Sequence, residues 1–186
     1  MPTPIGHALG GIAAGYLVTG LFAGGRAFIQ TSVASKHSGK DTALLVGVVT
    51  LACLGMLPDI DLVFTAHREF THSIGATLAV MAAATVLTKR RRFEVSCVLG
   101  AAYASHIGLD WLAADSSFPA GVMALWPFTG EYYLSSLDFS LFLNVCRQVG
   151  EIQCWVNNGV ALIRELTILV PAAAAVIWLQ RTLSKY

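Results

Sequence analysis

Charge is what this sequence has least of. Only 12% of its 186 residues are charged and 55% are hydrophobic, whereas soluble domains are typically about 25% charged. The mean hydropathy of +0.65 agrees with this imbalance. The sequence also lacks internal repeats and any linker rich in Pro, Gly or Ser. These absences exclude an ordinary soluble fold and predict a single membrane-embedded domain over residues 1–186.

Apolar stretches recur along the chain, and they predict an all-α, polytopic transmembrane bundle of about five spans. The first stretch lacks a positively charged start and already carries His7, so we interpret it as a retained span rather than a signal peptide. Residues 134–156 place apolar side chains at helical spacing among charged ones, which predicts an outer interfacial amphipathic helix. The five stretches are 5–24, 43–57, 74–88, 93–114 and 159–180.

The positions of the basic residues predict an orientation. Nine of the twelve Lys and Arg residues fall in the segments 25–42, 89–92 and 181–186. With five spans these segments share one side, which is the cytoplasmic side because Lys and Arg accumulate there. The amino terminus and the segments 58–73 and 115–158 are then outside. We therefore predict a multi-pass protein of the bacterial inner membrane.

The histidines and aspartates near the helix ends form the second pattern. Ionisable groups are expensive in a bilayer, so such residues tend to face the bundle interior and to serve a function. His106 and Asp110 stand four apart and share one helix face, while Pro58 disfavours helix just before Asp59. Under the predicted topology the whole set lies at the outer end: His7, Asp59, Asp61, His67, His72, His106 and Asp110.

Nitrogen and oxygen donors without a thiolate favour a catalytic zinc site, with Mn²⁺ as a weaker match. One or two ions are expected, because Asp110 could bridge a pair that clamps a phosphoryl oxygen. Arg68 suits a phosphate group because its planar fork binds two oxygens, and His67 is a second candidate to face substrate. Asp61 is a ligand, an orienter of a histidine or a general base. A buried hydrogen-bond network without any ion is the alternative for the entire set.

Several short motifs in a fixed order carry a family resemblance. They are Gly6-His7, Leu57-Pro58-Asp59-Ile60-Asp61, His67-Arg68 with Thr71-His72-Ser73, Ser105-His106 with Leu109-Asp110, and Trp126-Pro127. Together they resemble the bacterial LexA-regulated inner-membrane metal-dependent hydrolases (YdjM-like), which are in turn similar in motif order to zinc-dependent phospholipase C and P1 nuclease.

That resemblance implies a role for each matching residue. It implies a first metal held by Asp59, His72, His106 and Asp110, and a second held by Asp110 and His7. The expected function is therefore hydrolysis of a lipid or lipid-linked phosphoester at the outer membrane surface. The alternative is a non-enzymatic metal-binding membrane protein used for transport, sensing or scaffolding.

The remaining polar features are less specific. Membrane lipids are the expected partners, and nucleic acid is not expected because orientation explains the only basic run, Lys89 to Arg92. Cys146 and Cys154 would lie about 12 Å apart on a straight helix, so a disulfide between them requires a turn near Gly150. Glu165 opens the last span and either packs between helices or contacts the site. No feature specifies an oligomeric state.

Overall fold

A computed structural model describes residues 2–22, 40–63, 68–88, 92–113, 120–135 and 150–183. These residues form an all-helical fold, with one isolated antiparallel bridge between Val122 and Tyr133. Two short 3-10 helices, Leu57–Val63 and Phe70–His72, join the longer helices. The α-helices in chain order are α1 (Pro4–Leu21), α2 (Lys40–Met56), α3 (Ile74–Leu87), α4 (Arg92–Leu112) and α5 (Ile152–Leu183).

Helix α1 is the central element, because it packs against α2, α4 and α5. Its glycines allow this close approach: a Cβ atom at Gly11 would lie 2.5 Å from the carbonyl oxygen of Leu51. A Cβ atom at Gly15 would meet the Leu51 side chain at the same distance. The glycines of α1 therefore form a helix-packing surface, as small residues commonly provide between membrane helices.

An apolar layer crosses the bundle midway along α1. It consists of Tyr16 from α1, Leu51 from α2, and Val95, Val98 and Ala102 from α4, all of which are buried. Leu51 has no exposed surface. Because burial of apolar side chains is the main favourable term in folding, this apolar layer is the principal stabilising contact among α1, α2 and α4.

The long helices alternate in direction, so the starts of α1 and α3 lie at the same end of the bundle as the ends of α2 and α4. The polar residues near these helix termini therefore lie close together. There the first turn of α1 meets α5 through Thr3 and Glu165, and His7 meets Asp110 near the end of α4. At the opposite end the contacts include the rings of Phe22 and Phe93 at 6.2 Å. We call the first of these the polar end.

The predicted spans correspond to α1–α5, but a five-span bundle is not established. Two segments of the described chain are long and apolar enough to cross a membrane, Leu44–Leu62 and Ile152–Gln180. Helix α3 has only 14 residues, which is about 21 Å of helix against a hydrocarbon core of about 30 Å. Helix α4 is longer but carries Glu94 and Asp110.

The predicted interfacial helix at 134–156 has the wrong limits. Leu134 follows the bridge residue Tyr133 on non-helical backbone. Ile152 and Trp155 belong to the first turns of α5, where they are exposed. The central part of that prediction, 136–149, lies outside the described residues.

The segment 120–135 covers the start of α3. The amide groups of Ile74 and Gly75 donate to the carbonyl oxygens of Ala124 and Trp126 at 2.8 and 2.9 Å. These bonds satisfy two of the amide groups that every helix start leaves without an intrahelical partner. The segment that follows His72 is thereby fixed in place at the polar end.

Candidate metal centre

Two aspartates enter the polar end from the first 3-10 helix. Pro58 is buried and prevents regular helical bonding where α2 ends, so the chain tightens into Leu57–Val63. Asp59 is partly exposed, with 17% of its side chain accessible, whereas Asp61 is buried at 3%. Both carboxylates approach the ring of His72, from different sides.

His72 is held between these two carboxylates. Its Nε2 lies 3.7 Å from Asp59 Oδ1 and its Nδ1 lies 3.2 Å from Asp61 Oδ2. The Thr71 hydroxyl donates to Asp61 at 2.6 Å, and the Arg68 backbone amide donates to the same oxygen at 3.1 Å. Asp61 is therefore fixed by two donors on the side of the ring away from Asp59, where it orients His72.

Helix α4 supplies the second pair of donors, and α1 supplies a histidine. His106 and Asp110 lie one turn apart and both are buried, with His106 Nε2 3.3 Å from Asp110 Oδ2. His106 Nδ1 lies 2.7 Å from the carbonyl oxygen of Gly55. The ring of His7 stacks on His106 with centroids 3.6 Å apart. The glycine-mediated contact between α1 and α2 thus brings three helices to one point.

Four side chains converge on one point from these elements: Asp59, His72, His106 and Asp110, each with a donor atom within 4.8 Å of the others. Five of the six distances between their facing atoms lie between 3.1 and 3.7 Å. Ligands of a tetrahedral zinc ion, at about 2.0–2.1 Å from it, are about 3.3 Å apart. The spacing therefore suits an ion of this size. We call this set the four-donor group.

The outer hydrogen bonds of the two histidines decide what their inner nitrogens can do. His106 Nδ1 faces a carbonyl oxygen, which only accepts, so this nitrogen carries the proton. His72 Nδ1 faces the Asp61 carboxylate and carries its proton for the same reason. The two Nε2 atoms of the neutral rings then present lone pairs to each other at 3.1 Å. This arrangement requires either a proton or a metal ion between them, and it is how metal-binding histidines are usually oriented.

The aspartates of the group point to the same conclusion. Asp59 Oδ1 and both carboxylate oxygens of Asp110 are buried and form no hydrogen bond with any described residue. Buried polar atoms nearly always have partners, and each exception requires an explanation. A proton on one nitrogen would serve one or two of these contacts, whereas a divalent ion would contact all four donors. The residues present therefore fit a metal ion.

His7 extends the group on the far side of Asp110. Its Nε2 lies 3.3 Å from Asp110 Oδ1, the oxygen that does not face His72. Both ring nitrogens of His7 are buried without a hydrogen bond to the described part of the chain. His7 is thus close to the four-donor group but is not one of its members.

The acid–base properties of His72 reflect the surrounding carboxylates. Burial on its own lowers the pKa of His72, but the negative charges of Asp110, Asp59 and Asp61 beside the ring outweigh burial and raise that pKa to about 10. Without a metal ion, a proton therefore neutralises part of the negative charge at neutral pH. A metal ion and this proton compete for the same nitrogen, as is general for histidine ligands.

Glu165 is a buried carboxylate next to this centre. It has no exposed surface and accepts hydrogen bonds from the Thr3 backbone amide, at 2.8 Å, and from the Thr3 hydroxyl. Thr3 is the N-cap of α1 and in turn accepts from the Gly6 amide. A carboxylate at a helix start is also favoured by the helix dipole. Glu165 therefore fixes the first turn of α1, which carries His7.

The structure brings five of the eight predicted site residues around one point and places Asp61 directly behind them. The five are His7, Asp59, His72, His106 and Asp110. His67 lies outside the described residues. Their roles in catalysis or metal binding stay predictions.

Arg68 and His72 stand four apart in the sequence, but they do not share a helix face. Arg68 has a φ of 67°, in the left-handed region, and the helical turn that follows comprises only Phe70–His72. Arg68 is 4% exposed, and its backbone carbonyl accepts from the Met123 amide at 3.2 Å. Its backbone is thus tied to Asp61 and to the 120–135 segment, which sequence spacing could not indicate.

Several supporting residues were not identified from the sequence. The hydroxyl of Thr71 contacts both Asp61 and His72 Nδ1, and the hydroxyl of Tyr103 donates to the Thr71 carbonyl at 2.7 Å. Tyr103 precedes His106 by one helical turn, so its position on the same face was an available signal. The Gly55 carbonyl offers no signal, because every residue has a carbonyl.

These features define an all-helical protein with a buried His and Asp group, able to hold a metal ion, at one end of the bundle. The model of the YdjM inner membrane protein family matches residues 1–183. The chain therefore belongs to the YdjM inner membrane protein family, in agreement with its two long apolar segments. No curated protein and no solved structure matches the chain.

Proposed function

We propose that this chain is a metal-dependent hydrolase of the inner membrane that cleaves a lipid or lipid-linked phosphoester at the outer face. The observation that carries the proposal is the four-donor group, in which two imidazole nitrogens and two carboxylates lie close enough together to contact one ion. Zn²⁺ is the metal that best suits such nitrogen and oxygen donors, with Mn²⁺ as the alternative. A bound ion of this kind supplies Lewis acidity and lowers the pKa of a water molecule.

The residues around the group have distinct roles in this proposal. Asp59, His72, His106 and Asp110 hold the ion. Asp61 keeps His72 in the tautomer that can bind it, because Asp61 accepts from Nδ1. Asp59 is the one partly exposed member, so substrate approaches from its side. His67 and Arg68 remain proposed substrate contacts on the grounds of charge and position in the sequence.

The proposed orientation is supported by cysteine chemistry as well as by charge. Cys154 is disulfide-bonded and lies near the start of α5, the part of that helix closer to the polar end. Cys146 lies outside the described residues. Disulfides persist in oxidising compartments such as the periplasm and are rare in the cytosol. The polar end is accordingly proposed to face outward in a multi-pass arrangement.

The motif-order likeness to zinc-dependent phospholipase C and P1 nuclease belongs to this proposal as well. It favours a phosphoester substrate and a second ion between His7 and Asp110. The contact of His7 Nε2 with Asp110 Oδ1 at 3.3 Å supports that second position.

Lipid hydrolysis by the reconstituted protein tests the proposal. Purified protein is reconstituted in vesicles that contain phospholipids and polyprenyl phosphates, the metal is removed with a chelator, and Zn²⁺ or Mn²⁺ is restored. We expect hydrolysis that disappears with the chelator and returns with the ion. Asp110→Asn should remove turnover, while Ser105→Ala, on the same helix, should retain it. Absence of metal-restored hydrolysis across all these lipids would contradict the proposal.

A non-enzymatic metal-binding role is the second candidate, and one observation favours it. Four protein donors can complete a tetrahedral set, and complete sets are typical of structural ions, whereas catalytic zinc keeps a position open. In that case the same protein would bind one ion tightly and show no turnover in the vesicle assay. Full metal occupancy without hydrolysis would therefore select this candidate, a metal-binding membrane protein used for transport, sensing or scaffolding.

A further inference from the structure

A cleft of about 400 Å³ opens on the side of the bundle where α1 begins and α2 ends. Its walls are apolar apart from one residue, and they comprise Pro4, Cys53, Met56, Leu57, Ile60 and Leu62. The exception is Asp59, a member of the four-donor group. The cleft therefore has one polar lining residue, and that residue belongs to the candidate metal centre.

Exposure within the four-donor group points to the same place. His72, His106 and Asp110 are buried, whereas Asp59 is accessible. Among the described residues, the surface consequently reaches the group at Asp59, which lines the cleft. A molecule that uses the metal centre and also contacts this side of the bundle would extend along the cleft.

The surroundings of the cleft determine what that molecule is. Six of its seven lining residues lie within Leu44–Leu62, one of the two segments able to cross a membrane. Ile60 and Leu62 are about half exposed, at 54% and 49%. In an inner membrane protein such side chains face hydrocarbon rather than water, so the cleft opens toward lipid chains. Its volume falls in the range of about 300–1,000 Å³ that is usual for ligand sites.

We propose that this cleft admits the hydrocarbon chain of a membrane lipid from the side and places the headgroup linkage of that lipid beside Asp59. The inference deepens the proposed function and rests on it, because it names the substrate class of the same site. The substrate is an amphiphile whose phosphoester or ester linkage lies close to the start of an acyl or prenyl chain. Water-soluble phosphoesters without such a chain would be poor substrates.

Photo-cross-linking from a lipid chain tests the inference. Cys53 is the position chosen for filling the cleft, since Cys53 is exposed and lines it. Protein is placed in vesicles of phosphatidylethanolamine and phosphatidylglycerol that contain a trace of phosphatidylglycerol with a photoactivatable group on its acyl chain. After irradiation, cross-linked peptides are mapped by mass spectrometry. We expect adducts to concentrate on residues 53–62. Cys53→Trp should reduce them at least about fivefold, because a filled pocket excludes its ligand.

Val86→Trp is the matched control, because Val86 is 79% exposed on α3 and does not line the cleft. It should leave the cross-linking of residues 53–62 unchanged. Metal content, measured for every variant, identifies a misfolded protein, and Ile60→Trp serves as a second cleft-filling variant. Equal cross-linking in wild type and both cleft variants, or equal loss in the control, would overturn the inference.

The readout needs no turnover, so it separates this inference from the proposed function. If cleft-specific cross-linking persists in Asp110→Asn and wild type shows no hydrolysis, the lipid-binding cleft is supported and the hydrolase function is contradicted. If hydrolysis of long-chain lipids is unchanged in Cys53→Trp and Ile60→Trp, the hydrolase function is supported and the lipid-binding cleft is contradicted.

Discussion

The apolar layer and the four-donor group lie on the same helices but obey opposite energetics. Leu51 and Val98 in the layer are fully buried and gain free energy from that burial. His72 and His106 in the group are buried to the same extent, although burial of polar groups costs free energy unless they are paired. Burial of the apolar layer therefore stabilises the fold, whereas burial of the four-donor group costs free energy that a bound ion would offset.

Glycine spacing connects the two regions. Gly11 and Gly15 contact Leu51 of the apolar layer. One turn further along α2, Gly55 touches the backbone of His7, and its carbonyl oxygen accepts a hydrogen bond from His106 Nδ1. The same close helix contact thus supports packing in one region and donor geometry in the other. Variants in each region should consequently separate metal binding from stability.

The largest effect is expected for His106→Ala. This change removes one donor and the ring that stacks on His7, and the remaining aspartates would repel each other. We expect bound zinc, measured by elemental mass spectrometry on purified protein, to fall more than about tenfold, as loss of a ligand requires. Ser105→Ala is the control, since the Ser105 hydroxyl donates to the Ala102 carbonyl oxygen of its own helix. Full zinc content in both variants would remove the distinction between the regions.

Leu51→Ala should affect stability instead. The side chain has no exposed surface, and its loss leaves a cavity against Gly15. We expect the free energy of unfolding to fall by about 2–5 kcal/mol, measured by denaturant unfolding in detergent micelles, with zinc content unchanged. Leu45→Ala, at a 62% exposed position on the same helix, should cost about 0.5 kcal/mol or less. If Leu51→Ala lost its zinc but kept wild-type stability, the assignment of Leu51 to the stabilising layer would be contradicted.

Asp61→Asn is expected to weaken metal binding without abolishing it. Asp61 contacts His72 on the nitrogen away from the group, and loss of such an outer partner typically lowers metal affinity about 10–100-fold. Zinc titration with a competing chelator measures this change. Glu131→Gln, at an exposed carboxylate on the 120–135 segment, should match wild type. An affinity loss as large as that of His106→Ala would instead identify Asp61 as a ligand.

The smallest effect is expected for Glu165→Gln. The amide keeps one acceptor for Thr3 and loses the charge at the start of α1. We expect a loss of about 0.5–1.5 kcal/mol in unfolding free energy, with zinc retained. Gln153→Ala, at an exposed position on α5, is the control. Complete loss of zinc in Glu165→Gln would show that this carboxylate belongs to the metal centre itself.

Most of the helices could be predicted from the sequence because their apolar runs are long and their flanks polar. The donors were recognisable for a related reason: in a chain with few ionisable residues, His106 and Asp110 at helical spacing are conspicuous. Span number was less predictable, because α3 is short and α4 carries charges.

Local backbone geometry could not be predicted. The left-handed conformation of Arg68 accompanies backbone hydrogen bonds to Asp61 and Met123. Pro58 predicts irregular backbone around Asp59, but not that this backbone forms a 3-10 helix. The hydrogen bond from the Thr3 amide to Glu165 joins residues 162 positions apart, and no spacing rule reaches that far. Sequence patterns identified the donors, whereas tertiary contacts determine which atoms face each other.

X-ray absorption at the zinc edge, on protein loaded with one equivalent of zinc in vesicles, tests whether the four-donor group holds the ion. We expect a first shell of nitrogen and oxygen atoms only, at about 2.0–2.1 Å, with the outer scattering of two imidazole rings. That scattering should drop to one ring in His72→Ala. A sulfur shell at about 2.3 Å, or a wild-type spectrum without imidazole scattering, would contradict the assignment of the four-donor group as a metal centre.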